Sequence, residues 1–160
     1  MSLIRAATPA DAPLIAQFNF ALAYETEHRE LDRARLLAGV QALLADPAKG
    51  FYILAEVDGV VAGQTLITRE WSDWRNGHFW WIQSVYVLPE FRGRGVFREL
   101  FEHLTRAARQ EADVCGLRLY VERANVRAQT VYERLGMRPG CYQLMEMDFV
   151  LGGAGLERAQ

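Results

Sequence analysis

Residues 85–98 read VYVLPEFRGRGVFR, and this stretch joins a predicted strand to a predicted helix. The apolar and aromatic run from Phe79 to Val87 predicts a buried strand. Pro89 stops that strand, because proline cannot donate a ladder hydrogen bond. Apolar residues then recur from Phe97 to Ala108 at the three- and four-residue spacing of one helix face. The two glycines of the stretch supply the permissive backbone of a tight turn, so the sequence predicts a strand, a glycine turn and a long helix.

Three arginines, Arg92, Arg94 and Arg98, crowd the start of this helix. The N-terminus of a helix carries about half a positive charge, so each cation there costs roughly 0.3–1 kcal/mol. Arginines in this place favour an anion site, with free backbone N–H groups as further donors; the alternative is a solvated loop. The P-loop pattern is absent, and the dinucleotide pattern Gly-x-Gly-x-x-Gly fails at Arg98. The formal net charge of −2 argues against a nucleic-acid surface.

Two motifs point to a family. Arg92-Gly93-Arg94-Gly95-Val96 resembles the pyrophosphate loop of the GNAT superfamily, the acyl-CoA-dependent N-acetyltransferases, whose motif is Gln/Arg-x-x-Gly-x-Gly/Ala. Residues 121–137, VERANVRAQTVYERLGM, are similar to the family's Asn-x-x-Ala-x-x-x-Tyr-Glu-x-Leu-Gly-Phe segment. The motifs stand in the family's order, and the resemblance covers roughly residues 3 to 149. One position departs from it, since Phe97 replaces the usual Gly or Ala; we expect this to be tolerated, with the ring turned towards the sheet.

The chain as a whole predicts an α+β fold. Its 160 residues, 51% of them apolar, suit a single domain at 1–150 with a flexible, glycine-rich tail at 151–160. The predicted order is one strand, two helices, an antiparallel meander of three strands, then helix, strand, helix and a last strand within 142–149. Asp58-Gly59 and Asn76-Gly77 mark the two hairpin turns of the meander.

The resemblance implies that this α+β fold has a GNAT-like architecture. It implies a mixed, mainly antiparallel sheet of about six strands, flanked by four helices. It also implies that the sheet is splayed between the strand ending at Val87 and the strand ending at Val121, where the pantetheine arm of CoA enters. The acidic and polar segment from Tyr24 to Glu30 is predicted to be a loop.

The composition indicates in which cellular compartment the protein works and whether it binds a metal. No stretch approaches the ~20 apolar residues of a membrane span, and we see no signal peptide. Cys115 and Cys141 match no metal-spacing pair, and the three histidines are scattered, so no metal is expected. We interpret the cysteines as reduced thiols of a cytoplasmic protein, with a disulfide between them as the alternative.

The resemblance implies that acetyl-CoA is the co-substrate. In the family, backbone N–H groups of the central strand, here Val85 and Val87, polarise the thioester and bind the pantetheine arm. Tyr132 matches the tyrosine that protonates the departing thiolate as general acid, although it also falls on the apolar stripe of its helix and packing alone is the alternative. Asn125 is the predicted helix cap, and in the family this residue often touches the cofactor arm. The expected cofactor-binding residues are Val85, Tyr86, Val87, Arg92, Gly93, Arg94, Gly95, Val96, Phe97, Arg98, Asn125 and Tyr132.

We expect the acceptor to be a primary amine, small or peptide-borne, that attacks acetyl-CoA directly in a ternary complex. An alkyl amine has a pKa of about 10, so few molecules are neutral at pH 7 and a base is useful. Glu25, Glu27 and Glu70 best fit the acceptor location that the resemblance implies, and Glu25 and Glu27 are the favoured catalytic carboxylates. Glu70, Glu122 and Asp73 are the other candidates.

Four tryptophans, at 71, 74, 80 and 81, surround the second hairpin turn. They indicate either core and homodimer-interface packing, or an acceptor pocket entered between the Tyr24–Glu30 segment and the Trp71–Trp80 hairpin. Two further functions stay open, namely a non-catalytic acyl-CoA-binding regulatory module and a protein N-acetyltransferase. No nucleic-acid or membrane partner is expected.

Overall fold

The computed structural model describes residues 2–151, which form two compact units that divide between Glu122 and Arg123. The predicted tail at 151–160 lies outside the described residues except for Leu151. That both units act as one catalytic domain remains a prediction.

The described residues form five strands and four α-helices, which confirms the predicted α+β class. The first unit holds all the strands and three helices, and the second holds one helix. The strands are β1 (Leu3–Ala6), β2 (Phe51–Val57), β3 (Val60–Ser72), β4 (Gly77–Val87) and β5 (Val114–Leu119), and the helices are α1 (Ala12–Glu27), α2 (Arg33–Leu44), α3 (Val96–Gln110) and α4 (Val126–Arg134).

The five strands form one sheet in the order β1-β2-β3-β4-β5. The first four pair antiparallel, and β5 pairs parallel to β4. The predicted hairpin between β2 and β3 is present, and both of its turn residues, Asp58 and Gly59, have positive φ. A parallel neighbour needs a crossover connection, and α3 supplies it.

Helices cover both faces of the sheet, and two adjacent residues of β3 show how. The side chain of Gln64 donates to Asn19 of α1 (2.8 Å), so it lies on the α1 face. Gly63 faces the other way, where a Cβ would lie 3.0 Å from the Tyr86 carbonyl oxygen and 3.3 Å from Val96 of α3. Glycine therefore allows α3 to pack close against the sheet. The buried residues of α3 are Val96, Leu100, Phe101, Leu104 and Ala108.

The predicted opening beside β4 is present because the pairing between β4 and β5 ends before β4 does, although β5 ends at Leu119 and not at the predicted Val121. Their ladder ends at the pair Ile82↔Leu119, whereas β4 continues to Val87. The register of β4 against β3 shifts at the same point, because Leu66 pairs with Ser84 and Ile67 with Ile82, which leaves Gln83 as an extra residue. A bulge of this kind bends a strand and increases its twist. We call the opening beyond the last pair, lined by β4 from Gln83 to Val87, the fork.

Two local predictions were wrong. Residues 24–27 are not a loop, because α1 continues to Glu27 and ends only at His28, which adopts a left-handed conformation (φ 52°). The predicted last strand within 142–149 is absent, so the described sheet has five strands and not about six. A strand needs a partner for its backbone groups, and the apolar side chains of this segment are exposed, among them Tyr142 and Phe149 at 82% and 87%.

Candidate active site

The backbone N–H and C=O groups of two β4 residues point into the fork. The Leu88 N–H donates to the Ala62 carbonyl of β3 (2.9 Å), so Leu88 points its polar groups towards β3. These directions alternate along an antiparallel strand. The N–H and C=O groups of Val87 and Val85 therefore point to the opposite edge of β4, where the ladder to β5 has ended. This geometry offers two amide donors about one dipeptide apart along an open strand edge.

The start of α3 lies shortly after this edge. Gly93 and Gly95 have φ of 77° and 86°, a left-handed backbone that other residues adopt only with strain. Gly95 is the N-cap, and no side chain caps the helix. The first backbone bond of the helix runs from the Glu99 N–H to the Gly95 carbonyl (3.0 Å), so the N–H groups of Val96 and Arg98 take no part in the helix's own ladder and point towards an anion at its start.

The three arginines of this turn have different surroundings. The guanidinium of Arg94 lies 5.4 Å from the ring centroid of Phe91. Arg98 lies 3.9 Å from Glu102, and both side chains are more than half exposed, so this pair holds it weakly. Arg92 is engaged by the protein itself: its Nε donates to the Val87 carbonyl (2.8 Å) and its Nη2 to Glu25 (2.7 Å). Arg94 and Arg98 are thus the arginines whose charge faces no strong internal partner in the described residues.

Glu25 does not have the surroundings of a general base. Its second oxygen accepts from the Tyr86 hydroxyl (2.8 Å). Burial tends to raise the pKa of the Glu25 carboxyl, but the hydrogen bonds from Arg92 and Tyr86 outweigh it and hold this pKa below its usual value. For Tyr86, burial together with the bond to Glu25 raises the pKa of the phenol. A carboxylate that is stabilised in its charged form is a weak proton acceptor.

The other predicted carboxylates lie in different places. Glu27 is exposed and lies 3.6 Å from Arg29. Asp73 accepts from the Trp74 N–H (2.9 Å) inside the second hairpin turn. Glu70 is part of a cluster at the mouth of the fork, described next.

This cluster consists of Glu70, Trp81, Arg118 and Tyr120. The Trp81 indole N–H and Arg118 both donate to Glu70, the latter at 2.7 Å, and the rings of Trp81 and Tyr120 lie 4.4 Å apart. Trp81 pairs with Arg118 in the ladder, one step before its last pair. The cluster therefore combines a half-exposed carboxylate with two aromatic rings beside the fork. Sequence reasoning named Glu70 and Trp81 as site candidates but missed Arg118 and Tyr120. Their spacing of two residues, which places two strand residues on the same face, was the available signal.

The structure does not bring the two predicted walls of the acceptor pocket together. Tyr86 contacts Glu25 at one end of β4, and the hairpin turn that carries Trp74 precedes its other end at Gly77. An extended strand rises about 3.3 Å per residue, so these ends are roughly 30 Å apart. Trp74 is 82% exposed, whereas Trp80 is buried against Phe51. The turn that carries Trp74 therefore lies far from Glu25, which does not favour an entrance between the Tyr24–Glu30 segment and this turn.

The second unit contains the other motif residues. The side chain of Asn125 accepts from the Ala128 N–H (3.0 Å), so it caps α4 as predicted. Tyr132 lies on α4, and burial raises the pKa of its phenol. A phenol with a raised pKa stays protonated at neutral pH and so retains a proton to donate.

Residues 2–151 contain neither a candidate metal site nor a membrane-spanning helix. In this part of the chain, no group of three or more His, Cys, Asp or Glu side chains comes together as a metal site. No helix in the same range has the length and apolar character to cross a bilayer. Cys115 and Cys141 are free thiols and not a disulfide.

Comparison with known proteins adds independent information. The family model described as acetyltransferase (GNAT) family matches residues 14–137. A curated Bacillus subtilis (strain 168) protein, provisionally named ribosomal protein bS18-alanine N-acetyltransferase, is 32% identical over 89 residues, which are 56% of this chain and 54% of that protein. The match thus spans about half the length of this curated relative.

Two solved structures share the fold over nearly the whole chain. A possible acetyltransferase from Clostridium difficile 630 is 44% identical, with a TM-score of 0.87 over 94% of this chain and 99% of that one. An aminoglycoside N-acetyltransferase in complex with CoA is 17% identical, with a TM-score of 0.75 over 93% and 95% of the two chains. At that identity, the second likeness concerns the fold alone.

Proposed function

The chain belongs to the GNAT acetyltransferase family, and on that basis we propose that it transfers the acetyl group of acetyl-CoA to a primary amine. The observation that carries the proposal is the open edge of β4 beside the uncapped start of α3. An extended arm that bears amides and ends in a pyrophosphate matches both parts. The arm would add to the strand edge, and the pyrophosphate would meet the helix N-terminus.

In this proposal the backbone N–H groups of Val85 and Val87 serve the pantetheine arm and the thioester oxygen. Their direction into the fork supports the assignment. Preorganised amide donors are well suited to an oxygen that gains negative charge during the reaction. The Gly93-Arg94-Gly95 backbone holds the pyrophosphate, and the charges of Arg94 and Arg98 complement it.

The chemical step is a direct displacement. The neutral amine nitrogen attacks the acetyl carbonyl carbon, a C–N bond forms, and the C–S bond breaks. The thiolate of CoA takes a proton from the Tyr132 hydroxyl, which the family resemblance assigns as general acid. The nitrogen loses one more proton to a carboxylate or to water as the amide forms, and solvent returns a proton to Tyr132.

For the acceptor, we propose the cluster of Glu70, Trp81, Arg118 and Tyr120 in place of the entrance predicted from sequence. Its position beside the last β4–β5 pair supports the assignment, because the attacking nitrogen must reach the thioester at the fork. The two aromatic rings suit an ammonium group on an apolar body. Both Glu70 oxygens already accept, from Trp81 and Arg118, so Glu70 would orient the amine and not take its proton. The name of the curated relative, which gives a ribosomal-protein alanine as its acceptor, denotes transfer to nitrogen.

The test is calorimetry with acetyl-CoA, followed by turnover with a panel of amines that includes small polyamines, amino sugars and a peptide with an N-terminal alanine. Binding and turnover with at least one amine are the expected results. Binding without turnover on any amine would favour the regulatory module, and absence of binding would refute the proposal. Turnover confined to peptides would favour the protein N-acetyltransferase.

A further inference from the structure

Glu25 occupies a position that helix energetics do not explain. It lies in the last turn of α1, next to the negative end of the helix dipole, where an acidic side chain is disfavoured. The residue after the helix, His28, is left-handed, so this helix end is also strained. An acid in such a place needs a specific partner, and the structure supplies two of them in Arg92 and Tyr86.

Arg92 links three parts of the first unit. Its Nη2 contacts Glu25 of α1, its Nε holds the Val87 carbonyl at the end of β4, and its guanidinium lies 5.4 Å from the ring centroid of Tyr86. The residue itself stands in the turn that leads to α3. Tyr86 is fixed in turn by the ring of Phe18 of α1, at 5.2 Å between centroids.

We infer that Glu25 is a positioning residue for the CoA half of the site: by holding Arg92, it keeps the end of β4 and the glycine turn in the geometry that receives CoA. The inference rests on the proposed function. Both Glu25 oxygens are occupied by donors, so the carboxylate sets geometry and does not carry a proton. It follows that Arg92 orients the strand edge, while Arg94 and Arg98 face the phosphates.

This role predicts effects opposite to those of a base. Loss of the Glu25 charge should weaken CoA binding and leave the KM for the amine unchanged. The pair is partly exposed, with side-chain exposure of 44% for Arg92 and 38% for Glu25. An ion pair of this kind is worth up to about fivefold in an equilibrium constant, so we expect the Kd for CoA to rise about threefold to fivefold.

The experiment is a double-mutant cycle of Glu25→Gln and Arg92→Gln, read by calorimetry with CoA alone. If Glu25 acts through Arg92, the double variant should bind CoA no more weakly than Arg92→Gln, because the contact is already lost. Arg92→Lys keeps the charge but not the two directed bonds, so it should also weaken binding. Glu111→Gln is the matched control, because it removes the same charge at the far end of α3, roughly 20 Å from its start.

The outcomes separate this inference from the proposed function. Wild-type Kd values for both Glu25→Gln and Arg92→Lys, or multiplicative losses in the double variant, would overturn the positioning role while CoA binding stands. A fall in kcat for Glu25→Gln at saturating acetyl-CoA, with a shifted pH profile, would restore Glu25 as base and also overturn it. Failure of the wild-type protein to bind CoA would remove the proposed function itself.

Discussion

Gly95→Glu is expected to abolish CoA binding, whereas Gly95→Ala should lower stability and leave binding within about threefold of wild type. Gly95 has φ 86° and ψ 1°, in the left-handed region. A side chain in this region costs about 1–2 kcal/mol. The smaller entropy of the unfolded alanine chain offsets about 0.4–1 kcal/mol of that. The net loss of about 1 kcal/mol corresponds to a Tm lower by roughly 2–4 °C for a chain of this size.

Glutamate adds a charge to this backbone effect. A Cβ at residue 95 would lie 3.5 Å from Nη2 of Arg98, so the new carboxylate would compete with phosphate for that guanidinium. It would also repel the pyrophosphate, and two unit charges about 5 Å apart interact by about 3 kcal/mol at an effective dielectric constant of 20. That energy corresponds to a loss of roughly 100-fold or more in affinity.

The assay is calorimetry with CoA, combined with thermal unfolding of each ligand-free variant. Gly59→Ala is the matched control, because Gly59 has φ 79°, has nothing within 4 Å of the position of a Cβ, and lies in the β2–β3 hairpin. It should show the same fall in Tm with unchanged affinity for CoA. A wild-type Kd for Gly95→Glu would refute the placement of the pyrophosphate. If Gly59→Ala lost CoA binding to the same extent, the loss in Gly95→Glu would reflect lower folding stability and not a damaged binding site.

Three further predictions test other parts of the molecule. Tyr132→Phe should lower kcat by roughly 100-fold with little change in the Kd for CoA. An unchanged rate constant in single-turnover kinetics would show that Tyr132 is not the general acid. Glu70→Gln should raise the KM for the amine and leave the KM for acetyl-CoA unchanged, while Glu111→Gln should alter neither. An amine KM for Glu70→Gln equal to that of wild type would show that the amine does not bind at Glu70. Hydrogen bonds from Arg5 hold the pKa of Asp11 below its usual value, so this carboxylate stabilises the fold above pH ~4 and loses that contribution as the pH falls further. The free energy of unfolding, measured with urea at pH 7 and pH 3, should therefore fall less with pH for Asp11→Asn than for wild type. Equal falls in the two proteins would contradict a contribution of the Asp11 charge to stability.

Sequence reasoning succeeded where the signals are local. The strand, glycine turn and helix around residues 85–98 depend on proline, on glycine and on apolar spacing, all of which act within a few residues. The cap at Asn125 and the hairpin at Asp58-Gly59 are local in the same sense, and the structure contains both. The splayed sheet was predicted through the family resemblance, and the bulge at Gln83 that accompanies it has no marker in composition or spacing.

The contacts that sequence reasoning missed connect distant positions. Glu25 and Arg92 are 67 residues apart, so nothing in either segment reveals that the carboxylate is already paired. The same holds for Glu70 and Arg118, which are 48 residues apart. The hypothesis that Glu25 is a base depended on its acidic character and approximate location, and the structure changes its interpretation by identifying its donors.

Amide hydrogen exchange of residues 85–87, resolved by NMR with and without saturating CoA, tests the central claim most directly. If the arm of CoA adds to the open edge of β4, exchange at Val85 and Val87 should slow on binding. Tyr86, whose N–H points to β3 by the strand's alternation, should already be protected and change little. Unchanged exchange at both Val85 and Val87 in the CoA complex would contradict the account.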